Sequence, residues 1–224
     1  TARGRGAGGD PTKGEAAALE SETVLHRITN DTQLAIITAG MGGGSGTGAA
    51  GHVARLAKAQ GAVTIAVVTY PFKSDGSLRK QNAEWGLERL REHCDTIIVI
   101  PNERLLEIEG VKDLPIASAF RVGDELLVRS ITGLSEMLTT DGLVNLDFED
   151  LKAVVHSGSG VAMIGLGAAK GPGRAEAATM EALHSPLLDL DISDARDALI
   201  NVMGGDSLTL GEAERCAQIV KERV

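Results

Sequence analysis

The chain has 224 residues, of which 43% are hydrophobic and only 2% aromatic, and it carries a formal net charge of −9. This apolar content excludes a disordered chain and predicts a globular core built from Ala, Val, Leu and Ile. The negative charge disfavours binding to a nucleic-acid backbone, because such binding needs clustered Lys and Arg side chains. The two cysteines form no CxxC pair and the five histidines lack a metal-ligand spacing, so we expect a cytosolic protein with free thiols and no metal–histidine site.

The first half of the chain alternates short apolar runs with helix-like stretches. A Gly-rich start precedes a predicted helix over residues 15–29. The apolar runs at 34–39, 63–69 and 96–100 are typical of strands that are covered on both faces. Helical patterns at 49–60 and 81–93 separate them, and this β-α-β-α-β order predicts a parallel sheet with helices on both sides.

The pattern changes after Pro101. Apolar residues at helical spacing predict one long helix over 117–138, which a turn at 141–145 ends. The remainder predicts helices at 147–156, 174–184 and 210–223 and strands at 161–169 and 198–204. This order suggests a second, α+β unit. No apolar run approaches the roughly 20 residues of a transmembrane helix, so we expect no direct membrane insertion.

The stretch AGMGGGSGTGAA (39–50) lies between a predicted strand and a predicted helix. Glycines allow a ligand to approach the backbone, and a helix N-terminus offers free N–H donors to an anion, so the stretch predicts phosphate binding. It is not a Walker A loop, because the first following lysine is Lys58. GSGTGA (44–49) matches the dinucleotide fingerprint only weakly, since Asp75 comes late for a ribose-binding acid. A turn needed only for tight strand–helix packing is the alternative.

Several stretches together resemble the tubulin/FtsZ superfamily, and its FtsZ branch in particular. GMGGGSGTG (40–48) resembles the signature glycine loop, with Ser45 in place of the usual threonine. The supporting stretches follow in family order along the whole chain: GAGGDP (6–11), VTYPFKSDG (68–76), DTIIVIPNERLLEI (95–108), GLVNLDFEDL (142–151) and HSPLLD (184–189).

The resemblance implies an α/β fold with a Rossmann-like, parallel-sheet nucleotide-binding domain, a long central helix and a smaller α+β domain. We expect the GTP-binding domain at 1–116, the central helix at 117–140, and the catalytic loop with part of the C-terminal domain at 141–224. Family members have a further strand and glycine loop before this region and further strands after it. The chain is therefore expected to be an internal portion, truncated at both ends and of doubtful activity alone.

The resemblance also implies a GTP or GDP site. Family positions for the phosphates fall on Gly8, Gly9, Asp10, Gly42, Gly43, Gly44, Ser45, Gly46, Thr47 and Gly48. The family usually has Asn at position 10, and Mg²⁺ would offset the repulsion between the Asp10 carboxylate and a triphosphate. The ribose side falls on Asp75 and Arg79, and the guanine side on Asn102, Phe120 and Asp124. Taken singly, simpler interpretations are favoured: Arg79 as a solvated charge, Phe120 as a core residue and Asp124 as a partner of a nearby arginine. Taken together in family order, these residues favour the nucleotide site.

Two acids follow the long helix in NLDFEDL (145–151). Asp147 and Asp150 are suited to a helix N-cap and first turn, which is the simpler interpretation. About twenty helical residues span ~30 Å, however, so these acids cannot reach a nucleotide that Phe120 contacts in the same subunit. The resemblance implies that the loop enters the neighbouring subunit's site, where Asp147 and Asp150 orient the attacking water and Asn145 contacts the nucleotide.

The leading interpretation is a cytoplasmic cell-division GTPase that polymerises head to tail at the division site and binds membrane adaptors. An alternative is a GTP-binding cytoskeletal scaffold of the same superfamily that controls cell shape with little turnover. A third, resting only on GSGTGA, is a nicotinamide-dependent oxidoreductase.

Overall fold

We describe a computed structural model of the chain, which places residue 4 and residues 6–108, 110–139, 148–157, 161–185, 195 and 197–223. The chain divides into two compact units. The first comprises Thr1–Leu106 with Ser159–Ala162, and the second comprises Glu107–Gly158 with Met163–Val224. Each unit is described by itself.

The first unit is built on a parallel sheet in the order β1-β2-β3-β4. Its strands are β1 Leu34–Gly40, β2 Val63–Tyr70, β3 Thr96–Pro101 and the short β4 Val161–Ala162. The three predicted strands of the first half are confirmed, and so is the parallel sheet. Strand β2 lies between β1 and β3, and its first six residues are buried, because a central strand is covered on both faces.

Four helices belong to this unit: α1 Pro11–Glu20, α2 Glu22–Thr29, α3 Ser45–Ala59 and α4 Ser77–His93. The single predicted helix over 15–29 is wrong, because the chain forms two helices separated at Ser21, whose N–H donates to the Ala18 and Leu19 carbonyls of α1. Asp10 as N-cap and Pro11 as first residue start α1 earlier than expected. Helix α3 also begins four residues before the predicted position, so the glycine stretch forms its first turn.

The second unit contains α5 Ile116–Thr139, α6 Phe148–Ser157, α7 Arg174–Leu183 and α8 Leu210–Lys221. These confirm the predicted long helix and the three later ones, whereas the turn at 141–145 lies outside the described residues. Two strand predictions are wrong: the one at 161–169 shrinks to β4, and the described residues of 198–204 form no strand. A strand needs a paired backbone, and in the described chain neither residues 163–169 nor residues 198–204 pair with a strand.

None of the helices in the described residues combines the length and apolarity that crossing a bilayer requires.

Helices α1 and α3 approach closely because glycines face each other at their contact. A Cβ added to Gly48 would collide with the Pro11 carbonyl and lie 2.6 Å from the Glu15 nitrogen. A Cβ added to Gly14 would collide with the Gly44 carbonyl. The rest of α3 buries small side chains, among them Ala50 and Ala54. The chain has few large aromatic side chains, and these two helices accordingly pack with their backbones close together.

A buried carboxylate links β2 and β3 at the amino end of the sheet. One oxygen of Asp95 accepts hydrogen bonds from the Thr64 N–H at 2.8 Å and the Thr64 hydroxyl at 2.9 Å. The other lies 3.0 Å from the Lys58 ammonium, and the Asp95 side chain is only 8% exposed. Burial alone would raise the pKa of Asp95, but the hydrogen bonds from Thr64 and Lys58 outweigh it and hold that pKa below its ordinary value.

We expect Gly48→Ala to lower the free energy of unfolding by about 1–3 kcal/mol, because its Cβ would overpack the α1–α3 contact. Gly43→Ala is the matched control, since a Cβ at that position meets no atom within 4 Å. Its free energy of unfolding should stay within about 0.5 kcal/mol of the parent. Urea unfolding of both variants measures the difference, and equal stabilities would contradict the packing role of Gly48.

We expect Asp95→Asn to lower the free energy of unfolding by about 1–3 kcal/mol at neutral pH, because it removes a charged hydrogen-bond acceptor. Since the folded-state pKa is depressed, the stabilisation is complete above the unfolded-state pKa of about 3.9 and is lost as the pH falls through the folded-state value. The difference in free energy of unfolding between the parent and Asp95→Asn should therefore become smaller below about pH 4. Exposed Glu88→Gln, which changes the net charge equally, is the control. If the difference in free energy of unfolding between parent and Asp95→Asn does not change with pH, the stabilising role of the ionised Asp95 carboxylate is contradicted.

Candidate functional site

The candidate site lies at the carboxyl edge of the sheet in the first unit. Strand β1 ends at Gly40, β2 at Tyr70 and β3 at Pro101, and the segments that follow these strands therefore emerge at one edge. Ligands of open parallel sheets bind at this edge. The predicted residues at or next to it are Gly42, Gly43, Gly44, Ser45, Gly46, Thr47, Gly48, Asp75, Arg79 and Asn102.

The structure brings the two glycine-rich loops together. A Cβ added to Gly44 would lie 2.7 Å from the Ala7 Cβ and 2.9 Å from the Asp10 nitrogen, so the loop before α1 packs on the loop before α3. Asn82 of α4 joins them, because its side-chain nitrogen lies 2.8 Å from the Gly9 carbonyl oxygen and 3.3 Å from that of Gly42. Two segments that are distant in sequence thus form one surface.

The glycines of this surface serve two different purposes. A Cβ added to Gly8, Gly9 or Gly43 would meet no atom within 4 Å, so these positions face open space. Those added to Gly44, Gly46 and Gly48 would crowd neighbouring backbone, so these glycines are needed for packing. The glycine content therefore includes positions that face open space and positions that are needed for packing.

The N-terminus of α3 is suited to an anion. Its N-cap is Gly44, and no side chain caps it. The first N–H groups of a helix have no partner within the helix and carry a partial positive charge. Ser45, in the first turn, is exposed, and its hydroxyl is therefore accessible to a ligand. Together with the open space beside Gly43, this arrangement fits a phosphate group.

Thr47 has a different contact from the one expected. Its side chain is fully buried, and its hydroxyl oxygen accepts a hydrogen bond from the Gly42 N–H at 2.9 Å. The Thr47 side chain therefore shapes the glycine loop from inside.

Asp10 caps α1 from within its own loop. Its carboxylate accepts hydrogen bonds from the Thr12 N–H at 3.0 Å and the Thr12 hydroxyl at 2.6 Å, and Lys13 lies 3.7 Å away. The hydrogen bond from the Thr12 hydroxyl, assisted by the Lys13 charge, lowers the pKa of Asp10 below its ordinary value. The carboxylate is therefore ionised and directed to the start of α1, and the nearby ammonium offsets its charge.

Asp75, Arg79 and Asn102 lie in the segments after β2 and β3. Asp75 is exposed, and one of its oxygens accepts the Phe72 N–H at 3.0 Å within a 3-10 turn, Lys73–Asp75. The Arg79 side chain is exposed, and its carbonyl oxygen lies 2.9 Å from the position of a Cβ on Gly42. Asn102 is partly buried at the start of the turn after β3. All three therefore belong to the edge that carries the glycine loops.

The remaining predicted residues belong to the second unit. Phe120 and Asp124 lie four residues apart on α5, where they share a helix face. Phe120 is 47% exposed and Asp124 is exposed. Asp150 is exposed in the first turn of α6. Asn145 and Asp147 lie outside the described residues.

Sequence reasoning missed Asn82 and Gly14. Gly14 leaves a recognisable signal, because a glycine inside a helical pattern often marks a close backbone approach. Asn82 leaves none, since a polar residue on a helix surface is common, and only the folded positions of Gly9 and Gly42 make it a link between loops.

Two family models match the chain. The tubulin/FtsZ family, GTPase domain, matches residues 1–110, and the FtsZ family, C-terminal domain, matches residues 160–224. The chain is 50% identical over 222 residues to the cell division protein FtsZ of Haloferax mediterranei and to cell division protein FtsZ 1 of Methanocaldococcus jannaschii. Each match covers 99% of the chain but only 58% and 60% of those proteins, respectively.

Solved structures agree with these matches. An empty FtsZ dimer from M. jannaschii superposes with a TM-score of 0.93 at 50% identity, covering 99% of the chain and 64% of that protein. A CetZ from Methanosaeta thermophila superposes with a TM-score of 0.77 at 22% identity, covering 96% and 62%, and this likeness concerns the fold alone. The resemblance read from the glycine loops is thereby confirmed along nearly the whole chain, which belongs to the FtsZ branch of the tubulin/FtsZ family.

Proposed function

We propose that the complete protein is a cell-division GTPase that polymerises head to tail in the cytoplasm and hydrolyses GTP between subunits. The observation that carries this proposal is the joined pair of glycine loops beside the uncapped N-terminus of α3, in a chain of the FtsZ branch. Attachment of its filaments to the membrane at the division site through adaptor proteins is part of the same proposal.

The phosphates are proposed to bind in the space beside Gly8, Gly9 and Gly43. Backbone N–H groups of the loops and of the first turn of α3 donate to the phosphate oxygens, and the helix dipole favours their negative charge. The absence of a Cβ at these positions leaves room for the anion. The exposed Ser45 hydroxyl adds a donor at the same helix start.

Magnesium enters the proposal as the counter-ion of the phosphates. Magnesium in nucleotide sites usually keeps several waters and binds phosphate oxygens with one or two carboxylates. In the described part of the chain, no three His, Cys, Asp or Glu side chains group as a metal site. The Asp10 carboxylate is already engaged by Thr12. This arrangement fits a magnesium ion whose ligands are mainly phosphate oxygens.

The nucleoside contacts are proposed residue by residue, from the positions that the family resemblance implies. Asp75 and Arg79 contact the ribose, and Asn102 contacts the guanine from the edge of the sheet. The Phe120 ring stacks on the base, and the Asp124 carboxylate accepts two guanine N–H groups, which selects guanine over adenine. Phe120 and Asp124 are suited to this role because they are neighbours on one helix face with substantial exposure.

Hydrolysis is proposed to need a second subunit. Phosphoryl transfer depends mainly on positioning and charge stabilisation, so two carboxylates that orient a water are sufficient. Asp147 and Asp150 take this role, with Asn145 contacting the neighbour's nucleotide. The segment with these residues follows the 24-residue helix α5, which spans ~36 Å, whereas Phe120 and Asp124 lie near the helix start. Contact between two different surfaces of identical subunits builds an open filament unless the rotation between subunits closes into a ring.

We expect Gly43→Ala to weaken GTP binding about tenfold or more, because its Cβ would occupy the space proposed for a phosphate and lengthen charged hydrogen bonds. Gly133→Ala on α5 is the matched control, since its Cβ also meets no atom within 4 Å. Isothermal titration of the complete protein with GTP and with NAD measures both affinities. Tight binding of NAD in place of GTP would support the oxidoreductase interpretation instead.

We expect GTP turnover per subunit to rise steeply with protein concentration, because each active site needs two subunits. Asp147→Ala should bind GTP normally while turnover falls at least about 100-fold, since the water loses its orienting base. Glu149→Ala is the control, because Glu149 is an exposed acid of the same segment that lies 3.7 Å from Lys152. Phosphate release and light scattering across a concentration series measure turnover and assembly. Turnover that is independent of concentration would contradict the shared site, and assembly with negligible turnover in the parent would favour the scaffold alternative.

A further inference from the structure

Asn82 is the side chain through which α4 reaches both glycine loops. Its amide nitrogen donates one hydrogen bond of 2.8 Å to the Gly9 carbonyl oxygen and one of 3.3 Å to that of Gly42. Both partners are carbonyl oxygens, which only accept hydrogen bonds, so the NH₂ group and not the amide oxygen must face them. None of the stretches quoted for the family resemblance includes this residue.

The two carbonyls belong to backbone that is held in an unusual conformation. Gly9 has a φ of +79° and Gly42 a φ of +102°, values that residues with side chains rarely adopt. In a trans peptide the C=O and the following N–H point in opposite directions. The contact that draws the Gly42 carbonyl towards Asn82 therefore turns the Gly43 N–H to the other side of the loop. Gly43 is one of the positions that face open space.

The peptide groups on both sides of Gly42 are held by side chains. The Gly42 N–H donates to the Thr47 hydroxyl at 2.9 Å, and the Gly42 carbonyl accepts from Asn82. Other contacts hold the helix bodies, namely the α1–α3 glycine contact and the Arg89–Glu15 ion pair at 3.3 Å. Among the described contacts, Asn82 is the side chain that connects the tip of one glycine loop to the tip of the other.

We propose that Asn82 is a positioning residue that sets the spacing and peptide orientation of the two phosphate-binding loops without touching the nucleotide. This inference rests on the proposed function, because the loops must bind phosphate for their spacing to matter. An asparagine suits the role, since one nitrogen carries two N–H donors that reach two acceptors. Aspartate is nearly the same size but offers only acceptors, and alanine offers neither group.

The inference predicts a loss of affinity that is confined to ligands with phosphate groups. Asn82→Ala should weaken binding of GTP and GDP about tenfold, because two hydrogen bonds that orient the loops are lost. Asn82→Asp should weaken it further, since a carboxylate would face two carbonyl oxygens. Guanosine, which has no phosphate, should bind all variants equally. A residue that merely stabilised the fold would change the three affinities alike.

The test uses the complete protein and a fluorescent GTP that is displaced by GTP, GDP or guanosine. Gln81→Ala is the matched control, because Gln81 is the exposed neighbour of Asn82 on the same helix. The thermal midpoint without nucleotide is measured for each variant. Asn82→Ser, which is polar but too short to reach both carbonyls, replaces Asn82→Ala if that variant does not fold, with the same expected result.

The outcomes separate the two proposals. Phosphate-dependent loss in the Asn82 variants, with Gln81→Ala unchanged, supports the positioning role. If Asn82→Ala or Asn82→Ser binds GTP as tightly as the parent protein does, the positioning role is overturned and the proposed function stays intact. An equal loss for guanosine and GTP also overturns it. A parent protein that binds guanosine as tightly as GTP would overturn both proposals, because the loops would then not bind phosphate.

Discussion

The close approach of α1 and α3 is the constraint on which the candidate site depends. Backbone meets backbone where Gly14 faces Gly44 and where Gly48 faces Pro11, and any side chain at these glycines would force the helices apart. Each helix begins directly after a glycine-rich loop, so the contact between the helices also determines where the loops meet. The proposed phosphate-binding surface is thus a consequence of packing between two helix N-termini, and Asn82 connects the loop tips through hydrogen bonds to the Gly9 and Gly42 carbonyls.

The two ends of the parallel sheet are built for different purposes. At the amino end, Asp95 connects β2 and β3 through Thr64 and Lys58, and its charge is almost fully removed from solvent. Such a group contributes to stability only while its hydrogen bonds are complete. At the carboxyl end the glycine loops leave backbone facing open space beside an uncapped helix. The Asp95 contacts and the candidate binding surface are therefore separated by the length of the strands.

The sequence was sufficient for features that depend on local pattern. The buried strands, the long helix α5 and the glycine loops all have periodicity or composition that neighbouring residues determine. The sequence was insufficient where contacts between residues distant in the chain determine the structure. The helix break at Ser21 falls within a run of helix-forming residues, and residues 198–204 have strand-like composition but no paired strand in the described chain. Asn82 could not be identified, because its partners are 73 and 40 residues away.

The length of α5 gives the proposed reaction its dependence on assembly. Phe120 and Asp124, which are proposed to bind guanine, lie within the first three turns of this helix, and the proposed catalytic acids follow its end. A continuous helix of 24 residues cannot bring its two ends together, whatever the adjoining loops do. Under the proposed function, a subunit that binds GTP does not hydrolyse it alone, and the contact proposed to extend the filament is the contact proposed to complete the site. Nucleotide turnover would then report polymer contacts directly, without a separate conformational signal between the two ends of the molecule.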